Sequence, residues 1–394
     1  MNILQFSKKT PIPTKDGEAI AINQLSEGFN TNNCDLHVFS LVTKKHPKSK
    51  QKNLYPKGVT YSFAEIDTTI SYFWLLKNLL FSRKPYIAKR FEDYRAEKKL
   101  IKLLKAGKFD IVQLEGPFLG NYIPIIRKYS KAKISLRAHN IESKIWKRLA
   151  EQTTGLEKIY LKYFMAPRME RFEMKIAKTV DYIVPISKID EKIFNEHCKS
   201  IPTLTIPVSY KIKNYIGDIP KQFNVGFIGG LDWLPNQEGV KWFLKNVWAK
   251  FVINNPETFF NLAGRNFPKK YYDLKDTNLY IYGEIASAEE FTLQNSLMIA
   301  PIFSGSGMRV KIIEALALGR TVISTSIGAE GINYEDNKNI FIADTAEEWI
   351  SILNKLSKNK QLLIDTGKAG QDLVKKDHNI TKLAADLIDF YTKN

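Results

Sequence analysis

The sequence predicts an α/β protein built from two doubly wound parallel sheets. Short apolar segments alternate with amphipathic helical segments along the chain, and strands that alternate with helices form parallel sheets covered on both faces. A stretch with several prolines and little periodicity, 201–222, separates two such series and is interpreted as a linker. We therefore expect two Rossmann-like domains that face each other across a cleft, with ligands beyond the carboxyl ends of the strands.

The strand-type segments set the domain boundaries. The first series is NILQFS (2–7), CDLHVFSLV (34–42), FDIVQLEG (109–116), KISLRAH (133–139) and DYIVPIS (181–187). The second is FNVGFIGG (223–230), TFFNLAGR (258–265), NLYIYG (278–283), LMIAPIF (297–303), TVIST (321–325) and IFIAD (340–344). The predicted domains are 1–205 and 206–377, and a final amphipathic helix at about 378–394 is able to pack back onto the first domain.

Composition limits the class of protein. The chain has 394 residues, of which 44% are hydrophobic and 25% charged, as in ordinary globular proteins. Two cysteines far apart, Cys34 and Cys198, exclude a disulfide framework and indicate a reducing compartment. The first residues lack a secretory signal, and the most apolar early window, 71–81, is too short to span a bilayer. We expect a cytoplasmic protein.

The positive charge is concentrated in the first half of the chain. Residues 1–200 hold 37 Lys and Arg against 20 Asp and Glu, so they carry +17 of the total +18. Such a surface attracts polyanions, either nucleic acid or an anionic membrane. No nucleic-acid-binding module is recognisable. The segment 72–108, rich in aromatics, Leu and Lys, is either an ordinary helical pair or an interfacial element; we favour peripheral contact with the inner face of a membrane.

The stretch GSGMRVKIIEALALGRTVIST (305–325) carries the clearest chemical signal. A flexible turn opens a helix that Gly319 ends, and Arg309 and Lys311 lie at its positive end. Each cation there costs about 0.3–1 kcal/mol unless an anion is bound. Free amides, the helix dipole and two cations together suit a diphosphate, and Glu314 suits ribose hydroxyls. The residues alone leave an ordinary crossover helix as the equal alternative.

A family resemblance adds to this interpretation. APIFSGSGMRVKIIEALALGRTVISTSIGAEGI (300–332) resembles the donor-site segment of family 4 retaining glycosyltransferases, the group 1 glycosyl transferases of the GT-B fold. The similarity also includes VGFIGGLDWLPNQEGVKWFLKNVW (225–248), FNLAGR (260–265), YIYGEI (280–285), RAHNIESKIWKRLA (137–150) and ILQFSKKTPIPTKDGEAIAI (3–22). It implies catalysis without metal or cofactor, a UDP- or GDP-linked sugar on the second domain and an acceptor on the first.

The resemblance also implies residue roles. Glu314 matches the ribose contact and His139 the histidine that reaches the reaction centre. The loop with Asp16 and Gly17 approaches the donor phosphates and sugar. Tyr282 and Gly283 lie where the backbone of the family holds the base. The other expected contacts with the donor substrate are Gly229, Ser306, Gly307 and Met308.

Two departures from the family pattern matter. Ser306 stands where many members have a second Glu beside the sugar. Many members also have an Arg and a Lys just after the first strand of the second domain, for the diphosphate, and the segment GGLDWLPNQEG lacks both. Arg309 and Lys311 are therefore assigned the stabilisation of the diphosphate.

Other polar and aromatic residues receive weaker assignments. Arg265 is either a cleft residue or an ordinary loop residue. The acceptor candidates are Asp110, Glu115 and Glu142; the turn and capping candidates are Asp232 and Asn236; and the packing candidates are Trp233 and Trp242.

The function expected from these features is retaining transfer of a sugar from a nucleoside diphosphate sugar to a glycan or lipid-linked acceptor, in synthesis of cell-surface polysaccharide or lipopolysaccharide. Two alternatives stay open: a nucleotide-sugar epimerase of the same fold, which would need no acceptor, and an inactive sugar-nucleotide-binding scaffold, which the serine at 306 permits.

Overall fold

A computed structural model of the chain describes residues 1–14, 16–211, 219–268, 271, 278–305 and 307–394. The chain divides into two compact units. The first unit is Met1–Ser209 together with Ile380–Asn394, and the second is Tyr210–Asn379. The predicted fold class is confirmed, since each unit is built on a six-stranded parallel sheet with helices.

The sheet of the first unit has the strand order β3-β2-β1-β4-β5-β6. The strands are β1 (Asn2–Ser7), β2 (Asp35–Val42), β3 (Val59–Glu65), β4 (Ile111–Glu115), β5 (Lys133–Ala138) and β6 (Tyr182–Pro185). Every recorded pairing between them is parallel. The chain winds outward from β1 to β3 and then returns to β4 on the other side of β1. Crossovers therefore diverge between β1 and β4, which makes their carboxyl ends the switch point of this sheet.

The α-helices of the first unit surround this sheet. They are α1 (Gly17–Thr31), α2 (Tyr72–Phe81), α3 (Tyr86–Lys89), α4 (Tyr94–Ala106), α5 (Ile123–Tyr129), α6 (Glu142–Gln152), α7 (Gly155–Tyr160), α8 (Ala166–Ala177) and α9 (Lys188–His197). A π-helical segment, Leu161–Met165, joins α7 to α8.

The last α-helix of the chain belongs to the first unit. Its apolar face, Leu383, Ala384 and Leu387, is buried in the cluster that contains Phe29 of α1. At Gly28 of α1, an added Cβ would lie 2.8 Å from the Cβ of Ala384, so the two helices touch where α1 has no side chain.

The second unit repeats the doubly wound arrangement, with the strand order β12-β11-β10-β7-β8-β9. Its strands are β7 (Asn224–Ile228), β8 (Phe259–Ala263), β9 (Leu279–Gly283), β10 (Leu297–Ala300), β11 (Thr321–Ser324) and β12 (Phe341–Ile342). Its helices are α10 (Leu234–Phe243), α11 (Ala249–Phe251), α12 (Ala288–Leu293), α13 (Val310–Ala317), α14 (Ala346–Ser357) and α15 (Lys360–Asp377). The final helix of the first unit follows as α16 (Ile380–Lys393). The switch point lies between β7 and β10.

Two predictions about local structure were wrong. Strand β3 was missed because it is an edge strand: it pairs with β2 alone, and Ala64 is its only buried residue. The segment 201–222 is not one continuous linker, since Ile206 and Val208 are buried and 201–209 belong to the first unit. The rest of that prediction falls partly on 212–218, which lie outside the described residues.

Among the residues that the structure describes, none of the helices combines the length and apolar character that crossing a membrane requires.

Candidate functional site

The switch point of the second sheet is built from closely packed backbone. Strand β7 ends at Ile228 and is followed by Gly229 and Gly230, while the neighbouring β10 runs into the loop before α13. Helix α10 approaches this loop so closely that a Cβ at Gly239 would lie 1.7 Å from the carbonyl oxygen of Pro301. The glycine therefore lets α10 pack against the end of β10.

Lys311 projects into this switch point. Its Nζ donates to Asn236 Oδ1 at 2.9 Å and lies 4.2 Å from the ring centroid of Phe227. A Cβ at Gly229 would lie 2.8 Å from that Nζ, so the ammonium lies against the glycine backbone. Burial and, to a smaller extent, the positive charge of Arg309 together lower the pKa of Lys311 to about 7, against the opposing effect of Glu314. Within the described part of the chain, no carboxylate forms an ion pair with Lys311.

Arg309 occupies the N-cap position of α13, which begins at Val310. Its buried guanidinium donates to the carbonyl oxygens of Gly307 and, at 3.4 Å, Ser304. The same group lies 5.4 Å from the ring centroid of Trp233. Trp233 was predicted to pack within the second domain without a ligand role; it is 38% exposed, and its ring contacts the Arg309 guanidinium of the same unit. Trp242 does pack in the interior, against Phe303 and Trp349.

Glu314 lies one turn into α13, on the same helix as the two cations, and is half-buried. Burial raises the pKa of Glu314 to about 7, although the positive charge of Lys311 acts in the opposite direction. A carboxyl with a raised pKa and an ammonium with a lowered pKa, on adjacent turns, mark this part of α13 as a candidate functional site.

Arg265 is a third cation at this switch point; the sequence left it open between a cleft residue and an ordinary loop residue. Its Nε lies 3.6 Å from Asp232 Oδ1, and a Cβ at Gly230 would lie 3.3 Å from its side chain. Asn236, expected to cap a helix, is buried inside α10 and donates from Nδ2 to the carbonyl oxygen of Gly230 at 2.8 Å. The only available sequence signal for Arg265 was its position directly after a buried strand.

The predicted base-binding residues lie two strands further along the sheet. Gly283 ends β9 at a φ of +66°, and its carbonyl accepts from the amide of Gly264 at 2.7 Å. A Cβ at Gly264 would lie 2.1 Å from the carbonyl oxygen of Gly229. The backbones of Gly229, Gly264 and Gly283 therefore lie next to one another at the ends of three neighbouring strands. Tyr282 is half-exposed and packs against Phe291. No recorded contact in the described residues joins Tyr282 to the cations of α13.

The remaining predicted donor residues lie in the loop before α13. Gly307 has a φ of +81°, and Met308 is buried. Ser306 lies outside the described residues.

The switch point of the first sheet joins His139 to Glu115. His139 follows β5, Glu115 ends β4, and His139 Nε2 lies 2.7 Å from Glu115 Oε2. The other carboxylate oxygen accepts from Gln5 Nε2 at 2.7 Å and Gln113 Nε2 at 2.6 Å. Burial alone would raise the pKa of Glu115, but its hydrogen bond to His139, the charge of His139 and that of Arg137 lower it below its ordinary value.

Asp16 and Gly17 lie at the start of α1, close to a set of paired charges. Asp16 caps the helix by accepting from the amide of Ala19 at 2.9 Å, and its carboxylate also contacts Lys9 and His46 at 3.0 Å. Burial alone would raise the pKa of Asp16, but His46 and Lys9 bring it well below its ordinary range.

A second pairing lies beside the first. Lys8 contacts Glu18 at 3.1 Å and Glu142 at 3.6 Å. Burial alone would raise the pKa of Glu18, but Lys8, Lys9 and the nearby His139 lower it to about 2. Glu142, an acceptor candidate, therefore lies at this end of the sheet. Asp110 does not: it precedes β4 at the amino end, where it accepts from the amide of Asn2 at 2.7 Å, so its strand-end assignment was wrong.

Polar clusters at the carboxyl ends of doubly wound sheets are typical of nucleotide-binding α/β proteins. Residues 222–359 match the family model described as "Glycosyl transferases group 1". The chain is 28% identical over 278 residues to an "Uncharacterized 44.6 kDa protein in cps region" of Klebsiella pneumoniae. This match covers 67% of this chain and 69% of the relative.

Several solved structures have the same fold. Sucrose-phosphate synthase from Thermosynechococcus elongatus matches with a TM-score of 0.70 and 14% identity, over 100% of this chain and 99% of that one. A TarM mutant from S. aureus in complex with fondaparinux, alpha-GlcNAc-glycerol and UDP matches with a TM-score of 0.72 and 11% identity, over 99% and 100%. Anabaena HepE in complex with UDP-glucose matches with a TM-score of 0.69 and 11% identity, over 100% of both chains. The family match thus relates residues 222–359 of the second unit to group 1 glycosyl transferases, and the solved structures share the fold of this chain.

Proposed function

We propose that the protein transfers a sugar, with retention, from a nucleoside diphosphate sugar to a glycan or lipid-linked acceptor. The donor site of this proposal lies in the second unit and consists of Gly229, Gly230, Asn236, Arg265, Arg309, Lys311 and Glu314. One observation carries it: the Lys311 ammonium lies against the backbone of Gly229 with an amide oxygen as its hydrogen-bond acceptor.

A bound diphosphate would supply the missing negative charge. Desolvation and the charge of Arg309 lower the pKa of Lys311 to about 7, and the charge of Glu314 offsets this only in part. A phosphate oxygen beside Nζ would favour the charged form and reverse this shift. The N-terminus of α13 also favours a bound anion, because its first amides and the helix dipole attract negative charge.

Glu314 would orient the nucleoside. A carboxylate one turn beyond the phosphate-binding end repels phosphate but can accept hydrogen bonds from two vicinal hydroxyls. Ribose offers such a pair. The elevated pKa of Glu314, about 7, would fall on binding because hydroxyl donors favour the ionised form.

Catalysis would then rest on charge placed before the reaction begins. Negative charge develops on the departing diphosphate as the bond to the anomeric carbon breaks, and Arg309, Lys311 and the α13 N-terminus would stabilise it. His139 is the proposed contact of the first unit with the reacting groups, and its hydrogen bond to Glu115 would fix the imidazole ring. No metal or cofactor is part of this proposal.

The biological setting of the proposal is synthesis of cell-surface polysaccharide or lipopolysaccharide at the inner face of a membrane. The relative in a cps region supports a related genetic setting. The complexes of HepE with UDP-glucose and of TarM with UDP make UDP-linked sugars the first donors to test.

The test is a donor screen followed by a turnover assay. Thermal shifts with UDP-, GDP-, ADP- and TDP-sugars would identify the donor, and release of nucleoside diphosphate with and without added glycan acceptors would identify the reaction. We expect acceptor-dependent release in the wild type and its loss in Lys311→Gln. Lys355→Gln, on the same unit but remote in sequence, is the matched control.

Three outcomes would contradict the proposal. Donor isomerisation without an acceptor would indicate an epimerase, and tight donor binding without turnover across the acceptor panel would indicate a binding scaffold. An inverted anomeric centre in the product, read by NMR, would contradict retention.

A further inference from the structure

Helix α2 is apolar around its circumference and yet lies exposed. Of its ten residues, all of them described, only Asn78 is buried. Six of its large apolar side chains are between 52% and 83% exposed; they are Tyr72, Phe73, Trp74, Leu76, Leu80 and Phe81. Helices that are apolar all round normally lie inside a protein or a membrane. Exposed apolar patches of this kind mark interaction surfaces.

A second exposed apolar segment is attached to α2 by Arg168. Its guanidinium donates to the carbonyl oxygens of Leu79 at 2.8 Å and Asn78 at 3.3 Å, and lies 6.0 Å from the ring centroid of Phe164. Phe164 belongs to the segment 156–164, which exposes Leu156, Ile159, Tyr163 and Phe164. These four residues and the six of α2 form what we call the aromatic surface.

The charges around the aromatic surface have one dominant sign. Residues 70–91 contain five Lys or Arg and no Asp or Glu, and residues 155–168 contain three basic residues and one acidic one, Glu157. Lys77 Nζ lies 5.0 Å from the ring centroid of Trp74, and Lys162 Nζ lies 5.4 Å from that of Tyr163. Cations are therefore interleaved with the aromatic rings themselves.

We propose that the aromatic surface binds an anionic lipid bilayer. Trp and Tyr rings are favourable at the boundary between headgroups and acyl chains, and each nearby Lys or Arg strengthens binding to an anionic leaflet. Helix α2, about 15 Å long, would lie flat in this boundary instead of spanning the hydrocarbon. The positive charge of the surface opposes its pairing with a second copy of itself. The proposal deepens the membrane setting of the proposed function by naming the surface that makes the contact, and its test does not depend on sugar transfer.

Flotation of the full chain with vesicles, without any donor, tests this proposal. We expect binding to phosphatidylcholine vesicles that contain phosphatidylglycerol, at least about tenfold stronger at low salt than binding to phosphatidylcholine alone. Tryptophan emission should shift to the blue on binding, and Trp74→Phe should lose most of that shift while still binding. Equal recovery with both vesicle types, or no recovery at low salt, would overturn the proposal.

Two sets of variants separate the apolar and the charged contributions. Phe73→Ser with Leu80→Ser and Phe81→Ser changes exposed side chains only, and should weaken vesicle partitioning by at least about tenfold while circular dichroism stays unchanged. Lys77→Gln with Arg83→Gln should remove the preference for anionic vesicles. The matched control is Ile253→Ser with Tyr280→Ser, which alters side chains of the second unit that are 75% and 52% exposed.

Sedimentation velocity distinguishes a bilayer from a second copy of the chain. If the triple serine variant converts an oligomer into a monomer and leaves vesicle binding intact, the aromatic surface is a contact between copies and the proposal is wrong. A wild type and a variant with the same sedimentation coefficient, together with lost vesicle binding in the variant, would support the bilayer.

Discussion

Nε2 of His139 lies 2.7 Å from Oε2 of Glu115, and both side chains are buried at the switch point of the first sheet. The second carboxylate oxygen of Glu115 is held by Gln5 and Gln113, so the acceptor of this bond cannot rotate freely. Under the proposed function, Glu115 is therefore a positioning residue for His139.

Replacing this carboxylate should affect turnover more than donor binding. In Glu115→Gln, the charged hydrogen bond to His139 is lost, and such bonds contribute about 1.5–3 kcal/mol. We expect kcat to fall by roughly tenfold to a hundredfold, with the KM for the donor nearly unchanged. Steady-state kinetics with the identified donor and acceptor would measure both.

The control for this variant is Glu173→Gln. Glu173 is another buried carboxyl of the first unit, and it accepts from the amides of Glu142 and Ser143. Its substitution should leave kcat unchanged. If both variants lose turnover equally, Glu115 acts through the stability of the unit and not through His139.

Arg309→Ala should weaken binding of the nucleoside diphosphate. The guanidinium lies at the N-cap of α13, where the structure also places the Lys311 ammonium. The expected loss is about 1.5–3 kcal/mol, as for a hydrogen bond to a charged group, measured by titration calorimetry with UDP or the nucleotide found in the screen. Lys338→Ala, an exposed cation of the same unit, should leave the affinity unchanged. An unaltered affinity in Arg309→Ala would refute the phosphate assignment.

The affinity for nucleoside diphosphate should fall as the pH rises above 7. Burial lowers the pKa of Lys311 in the free protein to about 7, with Arg309 adding to the effect. A diphosphate favours the charged ammonium, so above pH 7 binding takes up a proton and weakens by up to about tenfold per pH unit. The terminal phosphate, whose second pKa is about 6, contributes little in this range.

The measurement needs Glu314→Gln as its background, because burial also raises the pKa of Glu314 to about 7. Glu314→Gln also removes a negative charge that raises the pKa of Lys311, so in that background we expect the decline to begin below pH 7. Lys311→Arg should abolish the decline because arginine stays charged. A decline that persists with arginine would assign the titration to another group.

Features formed within one continuous segment could be predicted from the sequence. Strand β1 was predicted at its observed bounds. Five of its six residues are buried, either as apolar side chains or as polar side chains enclosed by the sheet. The two cations and Glu314 were grouped because they share one helix start, which spacing alone reveals. Strand β3 failed because an edge strand with half-exposed side chains lacks a strong pattern.

Features that depend on strand order could not be predicted from single segments of the sequence. Arg265 meets Gly230 only because β8 pairs with β7, and Asn236 meets Lys311 only because α10 packs over the end of β10. The pairing of β4 with β5 sets Glu115 against Arg137 and so brings the carboxylate beside His139. Asp110 shows a different error: it precedes β4 and therefore lies at the amino end of that strand, as the order of the sequence already implies.

The docking of α16 on the first unit can be tested through one hydroxyl. Tyr391 is buried, and its hydroxyl forms hydrogen bonds with Gln113 Oε1 at 2.9 Å and Ser135 Oγ at 2.7 Å. In Tyr391→Phe both partners keep their burial but lose this bond, which should lower the free energy of unfolding by about 1–3 kcal/mol. Urea unfolding followed by circular dichroism would measure the loss. Tyr94→Phe, at a 67% exposed position of the same unit, should change little. Equal stability of the two variants would mean that the apolar face of α16, and not its buried hydroxyl, holds the helix in place.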